Sequence, residues 1–205
     1  QQWKVANVVT IFKRNGDRKI CGNSRGISLL SVAGKVLARV MLCRLLAHVV
    51  DVVAPESQCG FRQGRSTIDM IFVARLLQEK CREQHQNLFL AFIDITKAFD
   101  TVNRDLLWRV LGKFGCHPTF LKVLEEFHAG MKARVVVAGR QSDPFDITVG
   151  VKQGCVLAPV IFNLFLVAVT IVFRNNLEPN AGISINYRLD GSLFNIRILK
   201  AETKV

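Results

Sequence analysis

The sequence predicts an α+β fold, on three observations. Apolar runs short enough for strands occur at residues 5–12 and 88–93 and in two hairpin-like stretches nearer the C-terminus. Apolar residues recur at helical spacing between Ser31 and Val50. Strands and helices do not alternate regularly enough for a βαβ array, so they should segregate into layers.

Taken in order, Val5 to Phe12 reads as a β-branched strand, followed by the turn Asn15-Gly16-Asp17. Ser31 to about Val50 reads as a helix, and Ala54-Pro55-Glu56-Ser57 breaks the pattern. Ser66 with Asp69 three residues later forms a capping-box signature for a helix running through Leu77 to about Arg82. The apolar run Leu88-Phe89-Leu90-Ala91-Phe92-Ile93 is then expected to be a strand buried on both faces, with Asp94 where the strand meets solvent. Asn103 can cap a helix through Leu107 and Val110 to Phe114, and Pro118 can start another that ends at Gly130. Arg134 to Ala138 and Phe145 to Val149 read as a hairpin around Gly139-Arg140-Gln141-Ser142. Ile183 to Arg188 and Leu193 to Leu199 read as a second hairpin across Asp190-Gly191.

Val156 to Phe173 carries no charge and meets the length criterion for a membrane span. Pro159 and Asn163 lie inside it, and a glycine turn precedes it. A buried helix entered through Pro159 is the reading adopted, with no membrane partner.

At 205 residues and half apolar, the chain has ample material for a core. Its net charge of +12 is unevenly placed: residues 1–48 carry nine Lys or Arg against one acid. That segment is too rich in Val, Leu and Ile to be a disordered tail, so it is expected to be a folded face for a polyanion. The six cysteines show no C-x-x-C pair and the four histidines no metal-ligand spacing. With no signal peptide at the start, the cysteines read as reduced thiols of an intracellular protein.

The stretch Phe92-Ile93-Asp94-Ile95-Thr96-Lys97-Ala98-Phe99-Asp100 carries the chemistry. Magnesium takes one or two protein carboxylates and completes its shell with water and substrate phosphates, and an acid at a strand end suits that role. The alternative is that Asp94 caps the following turn or pairs with Lys97. Asp100 equally suits a structural role, holding the turn through backbone amides.

Four stretches occur in one order: Arg25-Gly26-Ile27-Ser28-Leu29-Leu30, then Gln58 to Thr67 (QCGFRQGRST), then the Asp94 stretch, then Gly150 to Phe162 (GVKQGCVLAPVIF). In order and spacing these resemble the fingers and palm of a reverse transcriptase from a non-LTR (LINE-type) retrotransposon, over a region from about Val8 onward. The resemblance implies an RNA-directed DNA polymerase that adds deoxynucleotides by two-metal phosphoryl transfer. Its cofactor would be two Mg2+ ions, or Mn2+. Its partners would be an RNA template, a DNA primer and deoxynucleoside triphosphates, and it would act in the nucleus. Residues 1–87 would be a fingers-like region and 88–205 a partial palm.

Residue by residue, the resemblance makes Asp94 the catalytic metal ligand, assisted by the backbone carbonyl of Ile95. Phe99 falls where the family places a bulky side chain beneath the incoming sugar; otherwise it is a core phenylalanine. Lys13 and Arg25 match fingers cations that hold the triphosphate, and either could instead be a surface cation. Arg62 and Arg65, in a glycine-punctuated loop, would face template. Gln153 and Gly154 match a Q-G pair that touches the nucleotide.

The chain also departs from the pattern. Ala158 stands where Ser is commoner before Pro, and Ser24 stands where the motif N-Y-R-G-I-S has its aromatic. The second metal motif, an aromatic followed by A-D-D, does not occur in these residues, and no thumb is expected. Two expectations follow: a polymerase core with little or no activity as this chain, or a catalytically dead basic remnant that binds nucleic acid.

Overall fold

The computed structural model describes residues 4–178, 181–188 and 199–204. Strand β1 (Val5–Phe12) pairs antiparallel with β2 (Ser24–Leu29), with Asn7 opposite Leu29 and Phe12 opposite Ser24. β1 also pairs in parallel with β3 (Lys132–Val137), which the sequence places more than a hundred residues later. Two short strands, β4 (Arg140–Gln141) and β5 (Phe145–Asp146), both fold back on β3. The predicted hairpin around residues 139–142 is therefore present, and its returning strand is split in two. β2 was not foreseen as a strand. Its Gly26 lies opposite Thr10 in the hairpin, where glycine makes a poor strand signal.

The helices begin where side chains can satisfy their first amides. Ser31 accepts from the Gly34 amide at the start of α1 (Val32–Leu45). That helix relaxes into a wider π turn over Leu46–Val50 and a single further turn, α2 (Asp51–Val53), so the predicted helix to Val50 is interrupted. Ser66 and Asp69 form the reciprocal capping box of α3 (Thr67–Glu83). Asn103 caps α4 (Arg104–Lys113), and Pro118 occupies the first turn of α5 (Pro118–His128). α6 (Ala158–Asn175) follows.

The core lies where α1, α4, α5 and α6 meet: Met41, Leu45, Leu107, Leu111, Leu124 and Ile161 are each at most 2% exposed. α6 is long and apolar enough to cross a membrane by length and composition. Its first half packs into this core through Val160, Ile161, Leu164 and Val167, whereas Val169, Val172 and Phe173 face outward.

β6 (Ser184–Arg188) and β7 (Leu199–Lys204) pair antiparallel, with Ser184 opposite Lys204. This pairing carries the first strand of the second predicted hairpin and the last residue, Leu199, of its return strand. The expected turn at Asp190-Gly191 and residues 193–198 lie outside the described residues.

One expectation fails outright. Residues 88–95 form no strand and join neither sheet. Phe89 and Phe92 are each 92% exposed and Ile93 is 87% exposed, so the run is not buried on either face. A central strand needs neighbours on both sides, and among the described residues no strand pairs with this run.

Candidate active site

The loop from Ile147 to Gly154 is the hub of the site. The Arg104 guanidinium, at the first turn of α4, donates to the carbonyl oxygens of Gly150 (2.7 Å), Ile147 (3.0 Å), Val149 (3.2 Å) and His128 (3.2 Å). One side chain thereby joins the start of α4, the end of α5 and the loop. Burial lowers the pKa of Arg104 from its usual value, yet arginine stays charged and its fork suits several carbonyls at once.

Beyond that clamp, the loop is stitched to both neighbouring motifs through its backbone. The Gly150 amide donates to Val102 O (2.9 Å) and the Val151 amide to Phe99 O (2.7 Å). The Ser28 amide, in β2, donates to Gln153 O (2.7 Å). Gly150 has φ +80, and a Cβ on it would stand 2.6 Å from Asp100 O. Gly154 has φ +109, and a Cβ there would stand 2.5 Å from Ser28 O. Both contacts are with backbone, which cannot swing away, so each position requires glycine.

Phe99-Asp100, Gln153-Gly154 and β2 are thus held against one another. Between the sheet and the loop lies a cavity of about 400 Å³ whose walls include Gly26, Ser28, Asp100 and Gln153. Arg25 is exposed on β2, opposite Ile11. Lys13 follows directly on β1, its amide bonded to Asn23 O (2.8 Å) and its ammonium donating to Gly22 O (3.0 Å). The hairpin therefore presents both cations from adjacent strands.

Phe99 is half-buried between Phe162 of α6, at 5.1 Å between ring centres, and Phe61, at 6.4 Å edge to face. These two rings, which the motif reading left without a role, position it. Phe61 itself sits at φ +53, a conformation uncommon for a bulky residue.

Asp94 and Ile95 lie on the exposed, unpaired segment. Among the described residues the Asp94 carboxylate has neither hydrogen bond nor ion pair, so no bond to Lys97 or turn cap occupies it. Asp100 is also exposed, and its amide bonds to Lys97 O (2.8 Å) within the turn. No group of three or more His, Cys, Asp or Glu side chains suited to a metal occurs among the described residues. One free acid fits the share of ligands that magnesium takes from protein when phosphates complete its shell, and does not amount to a closed metal cage.

Arg62 and Arg65 turn toward their own loop. Arg62 is 9% exposed at its side chain and donates to Pro55 O (3.1 Å). Arg65 grips Glu56 Oε2 through Nε (2.9 Å) and one terminal nitrogen (2.6 Å). Glu56 is a partner that the sequence reading assigned only to a helix break. Gln58 donates to the buried Asn163 on α6, which anchors the loop to the core.

Two buried basic groups lie behind the hub. His128 is 2% exposed, its Nδ1 is 2.8 Å from Leu124 O, and burial pushes its pKa down to about 4. Lys152 is 3% exposed, with Nζ 5.4 Å from the centre of the Phe127 ring and, among the described residues, no hydrogen-bond partner. Burial is also the main cause lowering the Lys152 pKa.

Residues 11–186 match the family described as reverse transcriptase (RNA-dependent DNA polymerase). The chain is 32% identical over 168 residues to the probable RNA-directed DNA polymerase from transposon BS of Drosophila melanogaster, covering 80% of this chain and 18% of that protein. It is 31% identical over 165 residues to the RNA-directed DNA polymerase from mobile element jockey of the same species, again 80% and 18%. Against the transposon TX1 uncharacterized 149 kDa protein of Xenopus laevis it is 28% identical over 170 residues, 83% of this chain and 13% of that one. The matched region is less than a fifth of the length of each of these three relatives. With strands, helices and loop motifs in one arrangement, the chain belongs to the reverse transcriptase (RNA-dependent DNA polymerase) family, and its relatives include the polymerases of non-LTR retrotransposons.

Proposed function

We propose that this chain is part of an RNA-directed DNA polymerase, supplying the surface that receives a deoxynucleoside triphosphate opposite an RNA template at a DNA primer end. The observation that carries this reading is the stitching of loop 150–154 to both the Phe99-Asp100 turn and β2. It brings the Phe99-Asp100 turn and the Gln153-Gly154 pair against the strand that carries Arg25.

Each residue then has a defined task. Arg25 and Lys13 neutralise and orient the triphosphate, Arg by its planar fork and Lys as a point charge. Phe99, braced by Phe61 and Phe162, packs beneath the sugar and leaves no room for a 2′-hydroxyl, the group that separates ribonucleotides from deoxyribonucleotides. Gln153 fixes the nucleotide by hydrogen bonding, and Gly154 keeps the loop against β2. Asp94, with the Ile95 carbonyl, would hold magnesium or manganese; bound there, the metal supplies charge neutralisation at the reacting phosphate. Arg62 and Arg65 shape the loop that faces template, through Pro55 and Glu56. In this reading residues 1–87 serve as fingers and 88–205 as part of a palm, and the reaction takes place on chromosomal DNA in the nucleus.

The 205 residues by themselves are expected to show little or no synthesis. They contain no aromatic-A-D-D motif, and among the described residues no strand pairs with the segment carrying Asp94 to hold its carboxylate in place. That same observation favours a second reading, a basic module that binds nucleic acid without catalysis.

Primer extension on an RNA template with magnesium separates the readings, comparing this chain, its Asp94→Ala variant and a longer relative-like version carrying an A-D-D hairpin. Extension by the long version alone, lost on Asp94→Ala, supports the polymerase reading. Extension by the 205-residue chain would refute the predicted inactivity. Salt-sensitive binding with no extension from any folded version would leave the binding module in place.

A further inference from the structure

A second surface lies away from the loop 150–154 hub. On α1, Val32, Val36, Val40 and Cys43 are all exposed, and on a helix positions three and four apart share one face. Val40 of this stripe lines a cavity of about 770 Å³ between α1 and α5, whose walls also include Leu37, Arg44, Phe120 and Val123. Leu37, Thr119 and Val123 also line a second cavity, of about 330 Å³, so the two form one continuous trough. The turn Gly115-Cys116-His117 closes one end, and Lys4 and Lys122 stand toward the other.

The charge around this trough is one-sided. α1 contains Lys35, Arg39 and Arg44 and no acid. None of Lys35, Arg39, Arg44 or Lys122 has an ion pair among the described residues, although acids elsewhere are paired. Among the described residues, Glu126 is the one acidic side chain lining either cavity. A nucleic-acid backbone would meet the cations but leave the valines in water. A trough walled by two helices, with apolar residues at helical spacing and unmatched cations beside them, is complementary to a third helix.

We propose that the trough between α1 and α5 is a docking surface for an acidic amphipathic helix of a protein partner, its apolar ridge seated on Leu37, Val40 and Val123 and its carboxylates meeting Lys4, Arg44 and Lys122.

The test is fluorescence anisotropy with the full 205-residue chain and a labelled helical peptide of about 18 residues, roughly 27 Å long. The peptide carries Leu at i, i+3, i+4 and i+7 and Glu on both flanks. Companion probes replace Glu by Lys, break the helix with Pro, or are a short RNA duplex. The acidic helix is expected to bind saturably, and the Lys and Pro versions about tenfold more weakly or worse. Val40→Ser with Val123→Ser, at exposed positions lining the trough, should weaken the acidic helix by a similar factor and leave duplex RNA binding unchanged. On the unmutated chain, bound peptide should slow alkylation of the exposed Cys43 and not of the exposed Cys21. Failure of the acidic helix to bind overturns the proposal. So does equal binding of the Lys version, indifference to the serine substitutions, unprotected Cys43, or loss of duplex RNA binding with those same substitutions.

Discussion

Gly150 and Gly154 are the residues on which the site turns, because each combines a positive φ with backbone at 2.6 Å or less from a Cβ. Alanine at either position must displace the Phe99-Asp100 turn or β2. A cost of about 2–4 kcal/mol is expected, read as an earlier midpoint in denaturant with an unchanged slope. His128 gives a pH signature. Its folded pKa, about 4, lies below the ordinary histidine value of 6.5. Above pH 6.5 both folded and unfolded histidine are neutral and the group contributes no slope. As pH falls from 6.5 toward 4 the unfolded chain takes up a proton that the buried ring refuses. Stability should decline across that window by roughly 3 kcal/mol, and His128→Gln should flatten that part of the profile in acid titrations followed by circular dichroism. Lys152 is the converse case. Its ammonium is buried without a hydrogen-bond partner among the described residues, so Lys152→Met should leave the fold intact and raise the unfolding temperature, an effect of about 1 kcal/mol. A lower unfolding temperature would show that the Phe127 ring contact outweighs the desolvation.

At the scale of elements, the helices were legible because their signals are local. Ser66 with Asp69, Asn103 and Pro118 announced three helix starts, and the structure places α3, α4 and α5 within a residue of each. Replacing Ser66 by Ala should cost about 1 kcal/mol, by removing one half of a reciprocal cap at an exposed helix start. Strands were less legible. β1 matched its predicted range, but its parallel partner β3 lies far along the chain, and no local pattern encodes that pairing. β2 escaped notice for the same reason: glycine and serine weaken its propensity, and its hydrogen bonds to β1 decide the matter. The loop elements show a similar division. The glycine-rich composition of residues 60–65 marked a loop, but that Arg62 would turn inward to Pro55 and that Glu56 would hold Arg65 depended on packing.

At the scale of the whole molecule, the core occupies one side. α3 buries only Cys81, while Ile68, Ile71 and Phe72 are exposed, as are Phe89, Phe92 and Ile93 farther along the chain. Phe89→Ser with Phe92→Ser should change stability by no more than about 0.5 kcal/mol, since neither ring is buried, and should reduce binding of a hydrophobic dye. A large loss of stability would mean that the segment packs in solution. The four ordered motifs identified the family, because motif spacing is written along the chain. Composition and caps fixed the α+β class and the helices for a like reason, since a cap or an amphipathic period involves neighbours within a few residues. Only the tertiary structure decided that Gly150 and Gly154 weld Phe99, Gln153 and β2 together, and that the strand-like run before Asp94 stays unpaired. Both outcomes rest on hydrogen bonds and close contacts between residues far apart in sequence, and a strand is completed by the neighbour it finds.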